Sequence, residues 1–218
     1  IKIQTNFKGK EVIIFGLADP SYDTILIIKG PDKNFKLAIK ERLFGIWIET
    51  KKFTFENIPS VFFVASSSEI SKILDENIIH QKGLNFNNFN KNSFKNISSK
   101  DTKIFENNLY EWDRNLVRKQ KENNLYKEYK LEIVDEKLFQ TRVFFPPNTV
   151  PGNYDVNIYQ VKNNKIINES KKLISIKKTG VGNIIYQFAQ KKPSVYGILC
   201  IIFAVVSGIA ASTAFRRL

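Results

Sequence analysis

The chain has 218 residues, with 34 Lys and Arg against 21 Asp and Glu and a formal charge of +13. One His and one Cys cannot fill the usual zinc, copper, iron–sulfur or c-type haem ligand sets, so no metal and no cofactor is expected. The charge is mostly Lys scattered among Asn, Ile and Phe. Nucleic-acid sites favour Arg forks and aromatics on one face, so no nucleic-acid partner is expected and anionic head groups are the simpler attraction.

Residues 1–67 read as an N-terminal β-sandwich lobe. β-Branched runs at Glu11–Leu17 and Thr24–Lys29 are separated by Asp19-Pro20-Ser21, and Gly30-Pro31-Asp32 breaks the chain again. Phe35–Lys40, Phe44–Glu49, Phe53–Phe55 and Val61–Ala65 follow at sandwich-like spacing. Phe35, Leu37 and Ile39 alternate, as do Phe44, Ile46 and Ile48, and each set is expected to face a core. Three consecutive charges, Lys40-Glu41-Arg42, interrupt this pattern just before Gly45 and Trp47. Two readings stand. Lys40 and Arg42 can hold an anionic group while Trp47 anchors a partner. Alternatively, the charges mark an exposed hairpin turn and Trp47 fills the core.

Residues 68–127 read as a helical insert with an Asn-rich loop. Ser68 is placed to cap a helix over Glu69–Ile79, with Ile70, Ile73, Leu74 and Ile78 on one side. Gly83–Asn96 is the loop. Ser98 or Ser99 caps a second helix to about Asn123, carrying Ile104, Phe105, Leu109, Trp112 and Leu116 toward a core. His80 ends the first helix and reads as a C-terminal cation rather than a base or ligand.

Residues 128–178 read as a second β lobe. Its strands are Tyr129–Val134, Leu138–Phe145, Asn153–Val161 and Ile166–Ile176, the last two joined at Lys162-Asn163-Asn164-Lys165. Pro146 and Pro147 end their strand because neither donates to a ladder. An apolar–Pro–x–x–aromatic–x–Val pattern occurs at Ile58–Val64 and again at Val150–Val156. It fits two related lobes or a chance likeness of strand entrances. The expected fold is mainly β with a helical insert (α+β): one or two immunoglobulin-like β-sandwich lobes plus a C-terminal transmembrane helix.

In residues 179–193, Val181, Ile184, Ile185, Phe188 and Ala189 share one helical face. This is an interfacial amphipathic helix with Tyr186, Phe188 and Lys191 at head-group depth, or else a first turn of the anchor. Residues 194–216 form the anchor itself. Val195–Phe215 contains no charge, and at about 1.5 Å per residue it reaches roughly 32 Å, the thickness of a hydrocarbon core. Ala204, Gly208 and Ser212 lie four apart, a spacing that lets another helix approach closely. Cys200 lies inside this apolar span, so the rest of the chain carries no thiol, which suits an oxidising compartment. The chain starts at Ile1 and lacks Met, read as removal of a signal peptide. The expected location is the inner (cytoplasmic) membrane, with the bulk in the periplasm and Arg216-Arg217-Leu218 in the cytoplasm.

Catalytic patterns are scarce. No Gly-x-Ser-x-Gly elbow or phosphate-cradling glycine loop occurs. Asp19, Asp23, Glu41, Glu49 and Glu56 look like solvated strand-end charges. A non-enzymatic accessory protein bound to lipid and to an integral membrane partner is therefore expected. A small-anion binding module using Lys40 and Arg42 is the alternative, and a structural subunit of an envelope assembly is a third.

Several groups of residues in order also carry a likeness. They begin with Phe7 and Gly9, Phe15-Gly16 and Lys29-Gly30-Pro31-Asp32. Lys40-Glu41-Arg42 with Gly45-Ile46-Trp47 is the most specific, followed by Phe55, Ile58-Pro59 and Val64-Ala65-Ser66. Leu138-Phe139-Gln140-Thr141, Pro151-Gly152 with Tyr154, Phe188-Ala189 and Tyr196-Gly197 complete it. Through these, nearly the whole chain resembles the putative transmembrane protein family of alphaproteobacteria. The resemblance implies a signal peptide, a periplasm-facing bulk and one C-terminal anchor. It also implies a gene neighbourhood shared with permeases similar to sulfite or organosulfonate exporters, but no reaction.

Overall fold

β-Branched and aromatic residues fill a pleated, half-buried surface well, and here they build most of the structure. The computed structural model describes residues 2–3, 7–86, 113–135, 137–179 and 181–216. In chain order the strands are β1 (Lys2–Ile3), β2 (Lys10–Leu17), β3 (Asp23–Lys29), β4 (Asp32–Leu43), β5 (Ile46–Pro59) and β6 (Phe62–Ser66). Helices α1 (Ile70–Ile73), α2 (Glu76–Lys82) and α3 (113–122) follow. Then come β7 (Tyr126–Lys130), β8 (Glu132–Asp135), β9 (Leu138–Phe145), β10 (Gly152–Lys162) and β11 (Lys165–Lys178), and finally α4 (Val181–Lys191) and α5 (Pro193–Phe215).

Phe7–Ile176 make one compact unit, and Lys177 onward, with β1, makes a second. In the first unit a mixed sheet runs β11-β10-β3-β6-β7, parallel only at β6–β7. A second, antiparallel sheet runs β2-β9-β8, and β4 with β5 forms a hairpin of its own. Strand β3 lies mid-sheet, and Ile25, Leu26, Ile27 and Ile28 are all buried, so both of its faces are covered. The pleat explains how. Phe63 meets Phe145 of β9 and Tyr129 edge-on, at 5.4 and 5.5 Å between ring centres, whereas its neighbour Phe62 turns to Phe86 at 5.3 Å and Tyr126 at 5.9 Å. One face thus carries the small sheet. The other carries the segment around α1 and α2, where Ile73, Leu74, Ile79 and Leu84 are buried.

Strands from 1–67 and from 128–178 interleave. β2 pairs with β9, β3 with β10 and β6 with β7, so the two expected lobes are a single unit with one core. The expected strand Tyr129–Val134 is two strands. Leu131, buried at the break, donates its N–H to the Ser66 carbonyl (3.0 Å), and the chain passes from the mixed sheet to the small one. The expected helix Glu69–Ile79 is also divided. Ser68 does not cap it, because its hydroxyl goes to Asp23 (3.2 Å). Glu69 and Asp75 occupy the two N-cap positions, and the Asp75 N–H is taken by the Asn164 side chain at 2.6 Å. The break shifts the helical phase, so Ile79 is buried where Ile78 was expected.

Helix α3 keeps the C-terminal part of the second expected helix, with Leu116 and Val117 buried. Ile104, Phe105, Leu109, Trp112 and most of the Asn-rich loop lie outside the described residues. At Lys162–Lys165, Asn163 and Asn164 both take positive φ (50° and 62°), as a two-residue hairpin turn requires.

Candidate functional site

The interrupted segment singled out in the sequence forms the end of the β4–β5 hairpin. A bulge between Ile39 and Lys40 resets the register, after which Lys40 faces Glu49, Glu41 faces Ile48, Arg42 faces Trp47 and Leu43 faces Ile46. Directly opposed residues share a side of the ribbon. Lys40, Arg42, Trp47 and Glu49 therefore line one side, and Glu41, Leu43, Ile46 and Ile48 the other. Phe44 and Gly45 close the loop with φ of 50° and 85°, the two positive values that a type I′ turn needs. The base of the ribbon is held in the core by Phe55 and Ile58, both fully buried.

At the far end the hairpin is exposed. Trp47 is 66% exposed, Ile46 67% and Phe44 fully so. Leu43 and Ile48 are each nearly half exposed. Trp47 therefore does not fill the core, and Phe44, Ile46 and Ile48 do not face one. Alternation identified two different sides of a ribbon, but only one end of that ribbon reaches the body. The three predicted residues Lys40, Arg42 and Trp47 do come together on one side. Sequence reasoning missed the apolar set beside them. Its signal was the two-residue Phe44-Gly45 loop, which places Leu43 and Ile46 opposite each other at a tip. Lys40 and Arg42 have no ion-pair partner among the described residues.

His80 is exposed in the last turn of α2, which Gly83 ends in the left-handed conformation (φ 60°). It borders a cleft of about 330 Å³ with Glu69, Glu76 and Glu128, yet among the described residues no group of three His, Cys, Asp or Glu could hold a metal ion. Lys29 lies over the Phe62 ring (4.9 Å), and burial lowers its pKa against the opposing pull of Asp32 and Asp155.

In the second unit, α4 and α5 are separate helices. Lys192 leaves the helical region (φ −138°, ψ 65°), and Pro193 occupies the first turn of α5, where its missing N–H is no loss. This break removes the reading of α4 as a first turn of the anchor. Phe188 and Tyr196 meet edge-on across the joint at 6.2 Å. Tyr186 and Lys191 are exposed and Phe188 half-buried. The 23 residues of α5 span roughly 34 Å at about 1.5 Å per residue, and α5 is the one helix among the described residues long and apolar enough to cross a membrane. Its Thr213 hydroxyl donates to the Ile209 carbonyl (2.6 Å), satisfying itself inside the helix as hydrocarbon surroundings demand. Ala204, Gly208 and Ser212 are exposed, and a Cβ placed on Gly208 would meet nothing within 4 Å.

A family model described as "Putative transmembrane protein (Alph_Pro_TM)" matches residues 1–217. The chain belongs to that family. No curated protein matches it, and no solved structure does. In this family member the candidate membrane helix is α5, and the exposed hairpin lies in the β-rich unit.

Proposed function

We propose that this chain is a membrane-anchored accessory protein without enzymatic activity, whose hairpin binds an integral membrane partner. The observation that carries the reading is the hairpin tip. Apolar and aromatic side chains stand in water on a ribbon fixed to a rigid body, in a chain that also carries a membrane helix. Exposed Trp beside Arg is the composition of interface anchors, and truncating such anchors commonly costs about 2 kcal/mol or more of binding. The small-residue stripe of α5 supports a second contact inside the bilayer.

In this reading α5 spans the inner membrane, with the β-rich unit in the periplasm and Arg216 on the cytoplasmic side. The family resemblance makes an exporter-like permease for sulfite or sulfonates the first partner to test. A photocrosslinking residue at position 44 or 47, in native membranes, should give one discrete protein adduct that Arg42→Glu weakens. Native-membrane pull-downs in mild detergent that return only the chain itself, with no adduct at either position, would sink the reading. Protease added to spheroplasts should digest the β-rich unit if the orientation holds.

A further inference from the structure

A cavity of about 190 Å³ opens between β4, the last turn of α3 and the loop 146–150. It shares strand β4 with the hairpin, nearer the base than the tip, and is built differently. Three lysines border it, Lys33 and Lys36 from β4 and Lys119 from α3, and among the described residues no carboxylate does. None of the three has an ion-pair partner among the described residues. Gln120, only 3% exposed, also lines the cavity, and its side-chain amide nitrogen is buried without an acceptor. A buried donor left unmatched costs about 1–3 kcal/mol, so the site is incomplete as it stands. Among the described residues it lacks an acceptor, and the charge around it is of one sign.

The end of a helix ordinarily repels anions, because its last carbonyls point outward. Here those carbonyls are occupied. Lys119 O accepts from Asn123 N–H (3.1 Å), Gln120 O from Leu125 N–H (2.9 Å) and Lys121 O from Asn124 N–H (2.9 Å). The opposite wall is also fixed. Tyr154 donates its hydroxyl to the Val150 carbonyl (2.6 Å), and Thr149 N–H bonds to Pro146 O (3.1 Å). Leu37, Leu116 and Val150 add apolar surface. The volume exceeds the roughly 150 Å³ that holds one benzene ring, so it takes more than a bare ion.

We propose that this cavity binds a small organic anion. A carboxylate, sulfonate or phosphate head would meet Lys33, Lys36, Lys119 and the Gln120 amide, and a short apolar stub would lie on Leu37 and Leu116. Lysines recognise such heads as point charges, so binding weakens with salt. The site is independent of the hairpin reading.

The test is thermal shift and calorimetry on the full chain in neutral detergent, at matched ionic strength. The probes are butyrate, butanesulfonate and butyl phosphate, with inorganic phosphate, sulfate and chloride as head-only arms and butylammonium as the opposite charge. A butyl-bearing anion should raise the Tm at millimolar concentration and bind at least threefold tighter than the inorganic ions, while butylammonium should not bind. Lys36→Glu with Lys119→Glu, both at exposed positions, should weaken binding at least tenfold. Gln120→Met should raise the basal Tm while weakening binding, a pairing that a purely structural glutamine would not produce. Arg42→Ala should leave binding unchanged. No shift with any anion, or equal binding by the double-Glu variant, overturns the proposal. Equal binding of inorganic phosphate overturns its apolar half, and loss of binding in Arg42→Ala would move the anion to the hairpin.

Discussion

Phe44 is the residue most at odds with its own backbone. A bulky side chain in the left-handed region costs about 1–2 kcal/mol relative to a residue suited to it, and Phe44 recovers none of this by packing because it is fully exposed. Asn tolerates that conformation, and Asn-Gly is the favoured pair for a type I′ turn. Phe44→Asn should therefore stabilise the chain by about 0.5–1 kcal/mol in denaturant unfolding, while reducing partner capture from membranes. Gly45→Ala should do the reverse to stability. A Cβ there meets nothing within 4 Å, so the whole penalty, about 1 kcal/mol, comes from a φ of 85°. A stabilised Phe44→Asn variant that captured partners normally would remove Phe44 from the interface.

A second residue-scale prediction concerns Asp113. Burial pushes its carboxyl up to about 6, and one of its oxygens is buried without a partner. The folded chain thus keeps this proton to higher pH than the unfolded chain, in which an Asp titrates near 3.9. Stability is fully present below about pH 4, falls as pH rises to about 6, and stays lower beyond that. The group is partly exposed, so the full shift at 1.36 kcal/mol per unit is cut by screening to about 1–1.5 kcal/mol. Asp113→Asn should raise stability by about 1 kcal/mol at pH 7.5 and leave it unchanged at pH 4. Equal gains at both pH values would show that charge is not the cause.

At the scale of elements, the sequence was legible where a local rule decides the outcome. β9 runs Leu138–Phe145 as its alternation and the following prolines indicate, and the turn at Asn163-Asn164 follows from two residues that accept positive φ. Legibility failed where the deciding contact is remote. Lys51 and Lys52 read as an interruption between two strands, yet β5 continues from Ile46 to Pro59 because β4 pairs along its length. Leu74 ends one helix and Asp75 starts the next, its N–H held by Asn164, which is distant in sequence. At the hairpin, the Lys40-Glu41-Arg42 run identified the site, but a period of two reports only that two sides differ. It does not report whether a body lies behind either one.

Gly30 joins β3 to β4, where the chain leaves the mixed sheet for the hairpin, and the element depends on its small size. A Cβ there would come within 2.7 Å of the Ser60 hydroxyl, 2.9 Å of the Tyr154 ring and 3.1 Å of the Val61 backbone nitrogen. Side chains could yield, but the backbone cannot, because Gly30 N–H is bonded to Val61 O at 2.8 Å. Gly30→Ala should cost about 2–3 kcal/mol, more than Gly45→Ala despite the unstrained φ at Gly30. Urea midpoints of the two variants at constant m-value decide this. A smaller loss at Gly30 would mean that the β3–β4 joint is looser than the geometry indicates.

On the scale of the whole molecule, two apolar and uncovered surfaces of the β-rich unit compare directly. One is the hairpin tip. The other is the outer face of β2, where Ile13, Phe15 and Leu17 are each more than half exposed. They differ in the residues set opposite. On the small sheet Ile13 stands opposite Arg142 and Phe15 opposite Gln140, while Leu17 faces Leu138. On the hairpin Leu43 and Ile46 are directly opposed beside Phe44 at the turn, Ile48 follows on the same side opposite Glu41, and Trp47 lies on the other side opposite Arg42. An exposed apolar cluster of this kind drives association when its partner is absent. The described buried hydrophobic residues all lie between Ala18 and Ile176, so a chain ending at Ile176 should unfold cooperatively in urea. It should also self-associate as its concentration rises. Phe44→Ser with Trp47→Ser should return it to monomer in light scattering, whereas Phe15→Ser should not. Rescue by Phe15→Ser alone would transfer the partner surface from the hairpin to β2.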